Sequence, residues 1–265
     1  MIGAPCLSAL GALRAGAGLA MLAVPEPIVD AALTIAPSAT GLPLPVDQAG
    51  ELIASEAAVR LAGALEEVDA LVVGPGLCVT EASRALTLQA TLQEELPVVL
   101  DAGALSALAQ TPEAQRDVRA TCVLTPHPGE FRRLAEAFGL EGDPVDPQGR
   151  AAAAQRLASF LGVIVVLKGA RTVVADAAEA HVSEAEVPAL ATGGTGDVLA
   201  GMIAALIAAH GRALGPRACA VHAVEAHASA ARAWSERAGA SGGMLATDLL
   251  EHVPRAVEAR RAAIH

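Results

Sequence analysis

Short runs of apolar residues alternate along most of the chain with longer segments in which apolar residues recur at helical spacing. The short runs are rich in valine and leucine, which is typical of strands that are buried on both faces of a sheet. This pattern predicts strands at 19–24, 70–73, 98–100, 122–124 and 163–167.

The segments between these runs have the length and spacing of helices. They predict helices at 4–15, 52–64, 80–93, 102–110, 129–138 and 148–161. Strands that alternate with helices of this length indicate βαβ units and a mainly parallel sheet.

The pattern changes after residue 167. Two short runs, 172–176 and 180–183, predict an antiparallel hairpin at one edge of the sheet. The remainder is mainly helical, with helices predicted at 197–210, 216–237 and 246–262. The expected fold is therefore a three-layer α/β/α domain, in which ligands bind beyond the carboxyl ends of the strands.

Composition refines this picture of the core. Hydrophobic residues make up 53% of the sequence and aromatic residues only 2%, so the interior must be aliphatic. A single α/β domain covering all 265 residues is the simpler interpretation, because such domains often exceed the usual domain size. Four cysteines, at positions 6, 78, 122 and 219, lack metal-binding spacing and are expected to be reduced thiols.

Charge and hydropathy exclude several classes of partner. A net charge of −11 argues against a nucleic-acid ligand, because nucleic-acid-binding proteins carry a basic face. The longest strongly apolar stretch, 198–209, is shorter than the roughly 20 residues of a membrane-spanning helix and predicts a buried helix. The first residues do not read as a secretory signal, so we expect a cytoplasmic protein without a membrane partner.

The sharpest chemical feature is a glycine-rich turn before the apolar helix. Gly193, Gly194, Thr195 and Gly196 would expose successive amide groups at a helix N-terminus, which form a site for a phosphoryl group. The carboxylate of Asp197, which follows them, could accept a proton from a substrate hydroxyl as catalytic base. The alternative is that Asp197 is only an N-cap after a flexible loop.

Two further loops follow predicted strands. In the Pro126-His127-Pro128-Gly129-Glu130 loop, prolines would fix His127 beside the ligand crevice, and Glu130 could begin a helix or contact magnesium. A simple strand-to-helix connector explains the same loop without any ligand. Lys168 ends the most apolar strand and could reach a phosphate, although a solvated entry to the hairpin is an equal alternative.

Weaker signals come from two other strand ends. The glycines of Gly74-Pro75-Gly76 would permit close approach of a ligand, but such a segment alone is weak support. Asp101 could contact magnesium or a substrate hydroxyl, or it could be a helix N-cap. The sequence does not identify the ligands of a metal.

Taken in chain order, these segments resemble the NAD(P)H-hydrate dehydratase family, a branch of the ribokinase-like superfamily. The resemblance covers nearly the whole chain, and the combination of the proline-histidine loop with the glycine-aspartate turn is its most specific part. The matching stretches are 3–5, 13–19, 73–77, 99–102, 124–130, 166–170, 191–201 and 245–249.

The resemblance implies repair of damaged nicotinamide cofactors. Family members dehydrate the S form of hydrated NADH or NADPH at the expense of ADP, or of ATP in some members, with Mg²⁺ as cofactor. The resemblance also implies a homo-oligomer, either a tetramer or a dimer. It places hydrate contacts at Ala4, Gly76, His127 and Asp197. Its nucleotide contacts fall on Lys168, Gly169, Ala170, Arg171, Thr172 and Gly196.

The sequence departs from the family pattern in several places. Family members carry a first strand before the Gly-Ala pair, so we expect this chain to lack that strand or its true start to lie upstream. We also expect it to lack the preceding epimerase domain that some members carry. Gly103 stands where an acidic residue is common, Ser106 where asparagine is common, and Cys78 replaces a usual glycine. These changes could loosen magnesium or substrate contacts.

Two other functions remain open. A ribokinase-like kinase of a small alcohol or vitamin precursor would use the same glycine-aspartate turn, but the His127 loop resembles the dehydratases more closely. A non-catalytic nucleotide-binding protein is the second alternative. The preference for ADP or ATP, and for NADH or NADPH hydrate, does not follow from these residues.

Overall fold

The computed structural model describes residues 1–111, 113 and 118–261. Its strands, β1 to β8, lie at Met21–Pro25, Thr40–Leu44, Leu71–Val73, Val98–Leu100, Cys122–Leu124, Ile164–Leu167, Val173–Ala175 and Ala180–Val182. Its helices, α1 to α10, lie at Gly3–Arg14, Val29–Ile35, Ala54–Leu65, Glu81–Leu92, Gly103–Ala109, Pro128–Ala137, Arg150–Leu161, Thr195–Leu214, Pro216–Ala238 and Ala246–Arg261.

A six-stranded sheet in the order β3-β4-β5-β6-β7-β8 forms the middle of the fold. The first four strands are parallel, with Val99 of β4 opposite Val72 on one side and Val123 on the other. The last two strands are antiparallel to their neighbours. The predicted parallel α/β sheet with an antiparallel hairpin at one edge is thereby confirmed.

Alternate residues of the central strands pack into two separate aliphatic cores. Val99, Val123 and Val166 contact helices α8, α9 and α10 on one face of the sheet. Val98 and Leu100 contact α5, α6 and α7 on the other face. Because both faces are covered, the strands are apolar at every position, which is why their sequences show no alternation. The result is the predicted three-layer architecture.

All nine predicted helices occur in the described part of the chain. Helix α8 is longer than predicted, because it begins directly after Gly194, with φ of +92°, and ends only before Gly215, with φ of +82°. Helix α10 is described as far as Arg261, and residue 262 of the predicted helix lies outside the described residues.

The strand predicted at 19–24 forms as β1, but it does not join the central sheet. It pairs in parallel with β2 in a separate two-stranded sheet. Its burial alternates, with Leu22 and Val24 buried and Ala23 exposed, whereas every residue of β4 is buried. A strand with such alternation is covered on one face only, and the sequence did not distinguish this case.

Helix α2 and strand β2 were not predicted. The helix has only seven residues, too few for a clear helical period. The strand contains Gly41 and Pro43, residue types that are depleted in strands because glycine adds no packing and proline donates no ladder hydrogen bond. Gly41 nevertheless suits the packing, since a Cβ there would lie 2.8 Å from a methyl group of Val29 and one of the two would have to move.

Helix α8 is the one helix in the described part of the chain with the length and apolar composition of a membrane span. It packs between helix α1, helix α9 and the central sheet, and residues such as Met202 and Ile203 are completely buried. Its apolar character is therefore accounted for by its central place in one helical layer, as the sequence predicted.

The contact between α1 and α8 depends on two glycines that let the backbones touch. A Cβ at Gly201 would lie 1.9 Å from the carbonyl oxygen of Ser8, and one at Gly11 would lie 2.5 Å from that of Val198. Both obstacles are backbone atoms, so a side chain at either position must push the helices apart. This contact also holds the start of α8, where the glycine turn lies.

We expect Gly201→Ala to lower the melting temperature by about 5 to 10 °C, because overpacking costs about 1–3 kcal/mol or more. Thermal unfolding followed by circular dichroism measures the change. Gly63→Ala is the control, since Gly63 is helical and has no atom within 4 Å of the added Cβ; it should stabilise by about 0.5–1 kcal/mol. Equal melting temperatures for the two variants would contradict the close approach.

Candidate functional site

The glycine turn before α8 leaves amide groups open at the start of that helix. Gly194 is the N-cap in a left-handed conformation, and the Thr195 hydroxyl lies 2.9 Å from each of two carbonyl oxygens of the preceding turn, so that its one proton is within reach of both. The N–H groups of Gly196 and Asp197 have no acceptor among the described residues. Together with the helix dipole, these amides form a site that favours an anion.

Asp197 is not the N-cap that the alternative interpretation proposed. Gly194 occupies that position, and Asp197 is the third residue of the helix, without a side-chain capping hydrogen bond. Its carboxylate is half-buried beside the open amides. The cap alternative is therefore wrong, and the side chain is free to face a ligand.

The carboxyl ends of β4, β5 and β6 bring a lysine and two carboxylates together. The Lys168 Nζ lies 2.7 Å from the Asp101 Oδ1 and 3.9 Å from the Glu130 Oε2. The Thr125 hydroxyl donates to the same Asp101 oxygen at 2.7 Å. The Lys168 side chain is 18% exposed and that of Asp101 only 2%. Lys168 is thus part of a partly buried ion pair and not a solvated hairpin entry, and Asp101 is no helix cap, since Ala102 occupies that position.

The Asp197 carboxyl has an altered acidity. Burial and the nearby Asp101 and Glu130 carboxylates raise its pKa, the Lys168 ammonium partly opposes them, and the net result is a pKa of about 6. A carboxylate with a pKa near the working pH is suited to accept and release a proton. The environment therefore supports a base at this position.

Lys168 is the only lysine in the sequence. A Cβ built on Gly196 would lie 3.3 Å from its Nζ, so the ammonium group stands against the glycine turn. The Lys168 N–H donates to the Pro126 carbonyl at 2.8 Å, which fixes the end of β6 to the loop after β5. One compact cation thus connects the open amides of α8 with the carboxylates at the strand ends.

His127 caps helix α6 with its own ring. The ring Nδ1 accepts from the N–H groups of Gly129 and Glu130 at 3.0 and 3.3 Å, while the Glu130 carboxylate accepts from the His127 N–H at 2.9 Å. This reciprocal capping box explains the loop as a connector. The other ring nitrogen, Nε2, lies 3.5 Å from a Glu130 carboxylate oxygen, and the His127 side chain is half-exposed. Contact between His127 and a ligand stays a prediction.

Met1 and Pro5, which flank the segment that contains Ala4, pack against Gly76. The Met1 ammonium donates to the Gly76 carbonyl at 2.9 Å. Gly76 has φ of +75°, and a Cβ there would lie 2.2 Å from the Met1 carbonyl oxygen. Ala4 is the second residue of α1 and is buried. Glycine is therefore required at position 76, although ligand contact by either residue stays a prediction.

The packing accounts for one departure from the family pattern. A Cβ at Gly103 would lie 2.2 Å from the Leu77 carbonyl oxygen, because the loop after β3 rests on the start of α5. An acidic side chain at position 103 would require that loop to move. The neighbouring Cys78 is exposed and free.

The segment from Lys168 to Thr172 turns away from β6 with unusual backbone angles. Gly169 has φ of +136°, and Arg171 has φ of +56°, which is rare for a residue with a side chain. The Thr172 hydroxyl donates to the Gly169 carbonyl at 3.0 Å and closes the turn. Gly169, Ala170 and Arg171 are exposed, and nucleotide contact by this segment stays a prediction.

The sequence analysis did not identify two residues that support the site. Arg150, at the start of α7, donates to the carbonyl groups of Leu167 and Lys168 at 3.1 Å and to that of Ala170. His227, to which the sequence analysis gave no role, is fully buried and lies 2.9 Å from the Thr195 carbonyl oxygen. Burial lowers the pKa of His227 to about 4, so the neutral ring donates to that carbonyl.

Metal ligands are sparse in the described part of the chain. No group of three or more histidine, cysteine, aspartate or glutamate side chains there could hold a metal ion. The carboxylates of Asp101, Glu130 and Asp197 are instead arranged around one lysine. Such a site could supply at most one or two protein oxygens to a cation.

Residues 1–255 of the chain match the model of a protein family described as NAD(P)H-hydrate dehydratase. A bifunctional NAD(P)H-hydrate repair enzyme from Salinibacter ruber is 40% identical over 97% of this chain, which spans 46% of that protein. An ADP-dependent (S)-NAD(P)H-hydrate dehydratase from Cenarchaeum symbiosum is 37% identical over 78% of this chain and 68% of its own length. The chain thus spans less than half of the longer relative.

The fold is similar to that of a solved enzyme. The ADP/ATP-dependent NAD(P)H-hydrate dehydratase from Bacillus subtilis, co-crystallised with ATP and Mg²⁺, superposes with a TM-score of 0.76 at 29% sequence identity. The match covers 98% of this chain and 85% of the other. A hydroxyethylthiazole kinase from Pyrococcus horikoshii, 18% identical with a TM-score of 0.63, shares the fold alone.

Proposed function

Because the chain belongs to the NAD(P)H-hydrate dehydratase family, we propose that it returns the S form of hydrated NADH or NADPH to NADH or NADPH at the expense of ADP or ATP. The observation that carries this proposal is the half-buried Asp197, with its raised pKa, beside open helix amides and the Lys168 ammonium. These are the parts that a phosphoryl transfer to a hydroxyl requires.

The proposed reaction has two steps. Asp197 accepts the proton of the hydrate hydroxyl while that oxygen attacks the terminal phosphoryl group, and the bond to the nucleotide's leaving oxygen breaks. The ring nitrogen then donates its electron pair, the carbon–oxygen bond of the phosphorylated hydrate breaks, and phosphate leaves with the original hydroxyl oxygen. Loss of a ring proton restores the dihydropyridine, with AMP or ADP as the nucleotide product.

Each loop of the site has a proposed place in this reaction. Ala4, Gly76 and His127 would contact the hydrate together with Asp197. The amide groups of Gly193, Gly194 and Gly196 would stabilise negative charge on the transferred phosphoryl oxygens, as open amides at a helix start do. The Thr195 amide, which the sequence also assigned to this role, instead donates to the Thr192 carbonyl at 3.4 Å. The segment from Lys168 to Thr172, with Gly196, would hold the nucleotide.

The donor set fits a magnesium ion that is held mainly by phosphate. Mg²⁺ keeps several waters and uses one or two carboxylates together with substrate phosphates, so the sparse ligands of this site suffice. Glu130 and Asp101 are the carboxylates that would hold it. When bound, the ion neutralises charge on the phosphoryl oxygens.

The proposed partners are small molecules. The net charge of −11 disfavours a nucleic-acid backbone, and a cytoplasmic homo-oligomer, either dimer or tetramer, is the assembly that we propose.

Incubation of the protein with hydrated NADH, Mg²⁺ and either ADP or ATP tests the proposal. We expect the near-ultraviolet absorbance of the dihydropyridine to return, with one phosphate released for each NADH formed. The hydrate and the nucleotide are also tested separately, and neither should react alone. Absence of recovery with both nucleotides, in a protein that is folded by circular dichroism, would refute the function.

The activity should decrease with acidity in a defined range. Because burial raises the pKa of Asp197 to about 6, the base is ionised at neutral pH and becomes protonated as the pH falls through about 6. We expect kcat to drop about tenfold for each pH unit below that value. Nucleotide affinity measured over the same range separates this effect from titration of the phosphate. A constant kcat down to pH 5 would contradict the role of Asp197 as base.

A further inference from the structure

Arg150 occupies a position that is unfavourable for its charge. It is the first residue of α7, where the helix dipole disfavours a cation, and it is only 7% exposed. Among the described residues no carboxylate forms an ion pair with it. Burial and the neighbouring Arg171 lower its pKa. A buried cation without an anionic partner is costly, so its retention requires a compensating role.

Its guanidinium group is bound by backbone carbonyls alone. Its terminal nitrogens donate to Leu167 and Lys168 at 3.1 Å and to Ala170, which are three carbonyl groups within four residues. The planar, rigid fork of an arginine can hold several acceptors in a fixed geometry, which the point charge of a lysine cannot do. Arg150 therefore fixes the path of the chain directly after β6.

The backbone amide groups of the same segment stay open. The N–H groups of Gly169 and Ala170 have no acceptor in the part of the chain that the structure describes. Gly169 also approaches the guanidinium closely, since a Cβ there would lie 3.2 Å from one of its nitrogens. The strained Arg171, with φ of +56°, persists only where its surroundings fix it.

We propose that Arg150 is a positioning residue for the nucleotide. This proposal rests on the nucleotide role proposed above for the segment from Lys168 to Thr172. Its guanidinium fixes the carbonyl groups of this segment on one side and keeps the amide groups of Gly169 and Ala170 free for an anionic ligand. Its unpaired positive charge behind the segment adds to the attraction for a nucleoside di- or triphosphate. It does not touch the hydrate.

Binding measurements on three variants test this proposal. Arg150→Met removes the fork and the charge, Arg150→Lys keeps the charge without the fork, and Arg156→Met changes an exposed arginine of the same helix as the matched control. The affinities for ADP and for hydrated NADH are measured by calorimetry, together with the KM of each substrate and the melting temperature.

We expect Arg150→Met to weaken ADP binding by more than tenfold and Arg150→Lys to recover only part of that loss. Affinity for the hydrate should stay within twofold in both variants, and Arg156→Met should match the wild type. Methylguanidinium added to Arg150→Met should restore part of the ADP affinity. A parallel loss for both ligands, or unchanged ADP affinity, would show that Arg150 is only structural and overturn the proposal.

A further variant decides the question if Arg150→Met does not fold. Gly169→Ala places a methyl group against the guanidinium and disturbs the same segment without altering α7. It must also weaken ADP binding selectively, and equal affinities would overturn the proposal. ADP binding is measured without turnover, so a failure of the proposed dehydratase activity is distinguishable from a failure of this inference.

Discussion

Replacement of Asp197 by asparagine is expected to lower kcat by about a thousandfold, within the range known for loss of a general base. The amide has the shape of the carboxylate but cannot accept the hydroxyl proton. Because the open amides of α8 and Lys168 stay in place, ADP affinity should remain within about tenfold. Single-turnover kinetics and calorimetry measure the two effects separately.

The same variant should be more stable than the wild type at neutral pH. The folded-state pKa of Asp197 is raised from its ordinary 3.8 to about 6, so its ionisation opposes folding as the pH rises through this interval. At pH 7 the whole penalty is present, and asparagine removes it; the melting temperature should rise by about 2 °C or more. Below about pH 4 both forms are neutral, and the difference should vanish.

Asp69→Asn provides the matched control, because Asp69 is exposed and precedes β3, whereas the loop of the site that contains Gly76 follows that strand. Its kcat and melting temperature should equal those of the wild type. Full turnover by Asp197→Asn would exclude the base, and a lower melting temperature at pH 7 would contradict the buried, charge-repelled environment.

Replacement of Lys168 by methionine is expected to weaken ADP binding by about a hundredfold, since a charge-assisted contact to phosphate is lost from a partly buried site. It should also raise the pKa of Asp197, because the Lys168 ammonium lowers that pKa while Asp101 and Glu130 raise it. The acid limb of the pH profile should therefore move to higher pH. Lys168→Arg keeps the charge, so the acid limb of its pH profile should stay closer to that of the wild type.

Because Lys168 is the single lysine of the sequence, its contact with the nucleotide can be assayed directly. An acyl-phosphate derivative of ADP transfers its acyl group to a lysine beside the phosphates, and Lys168 is the only lysine that could react. We expect acylation that free ADP prevents. An unmodified Lys168, or an acid limb that does not move in Lys168→Met, would contradict its place beside both the nucleotide and Asp197.

The sequence was sufficient to locate the central strands and the loops of the site. The runs at β4, β5 and β6 are valine-rich and buried on both faces, so their ends, at Asp101, Thr125 and Lys168, follow directly from the pattern. In contrast, β2 contains glycine and proline, and its pairing with β1 outside the main sheet depends on contacts that local sequence does not specify.

The supporting residues of the site could not be predicted for a different reason. Arg150 stands in an alanine-rich helix, and only the three-dimensional structure shows that it is buried against the carbonyls after β6. The capping role of the His127 ring is likewise a matter of side-chain orientation. Residues of this kind act through backbone groups distant in sequence, and neither spacing nor composition records such contacts.

The fate of the hydrate oxygen tests the central claim most directly. In the proposed reaction the hydroxyl oxygen of the hydrate attacks the phosphoryl group and leaves as part of phosphate. Hydrate that carries a heavy oxygen isotope in this hydroxyl is converted with unlabelled ADP and water, and the phosphate is analysed by mass spectrometry. We predict one labelled oxygen in the phosphate for every NADH formed, whereas unlabelled phosphate with the label in water would contradict dehydration by phosphorylation.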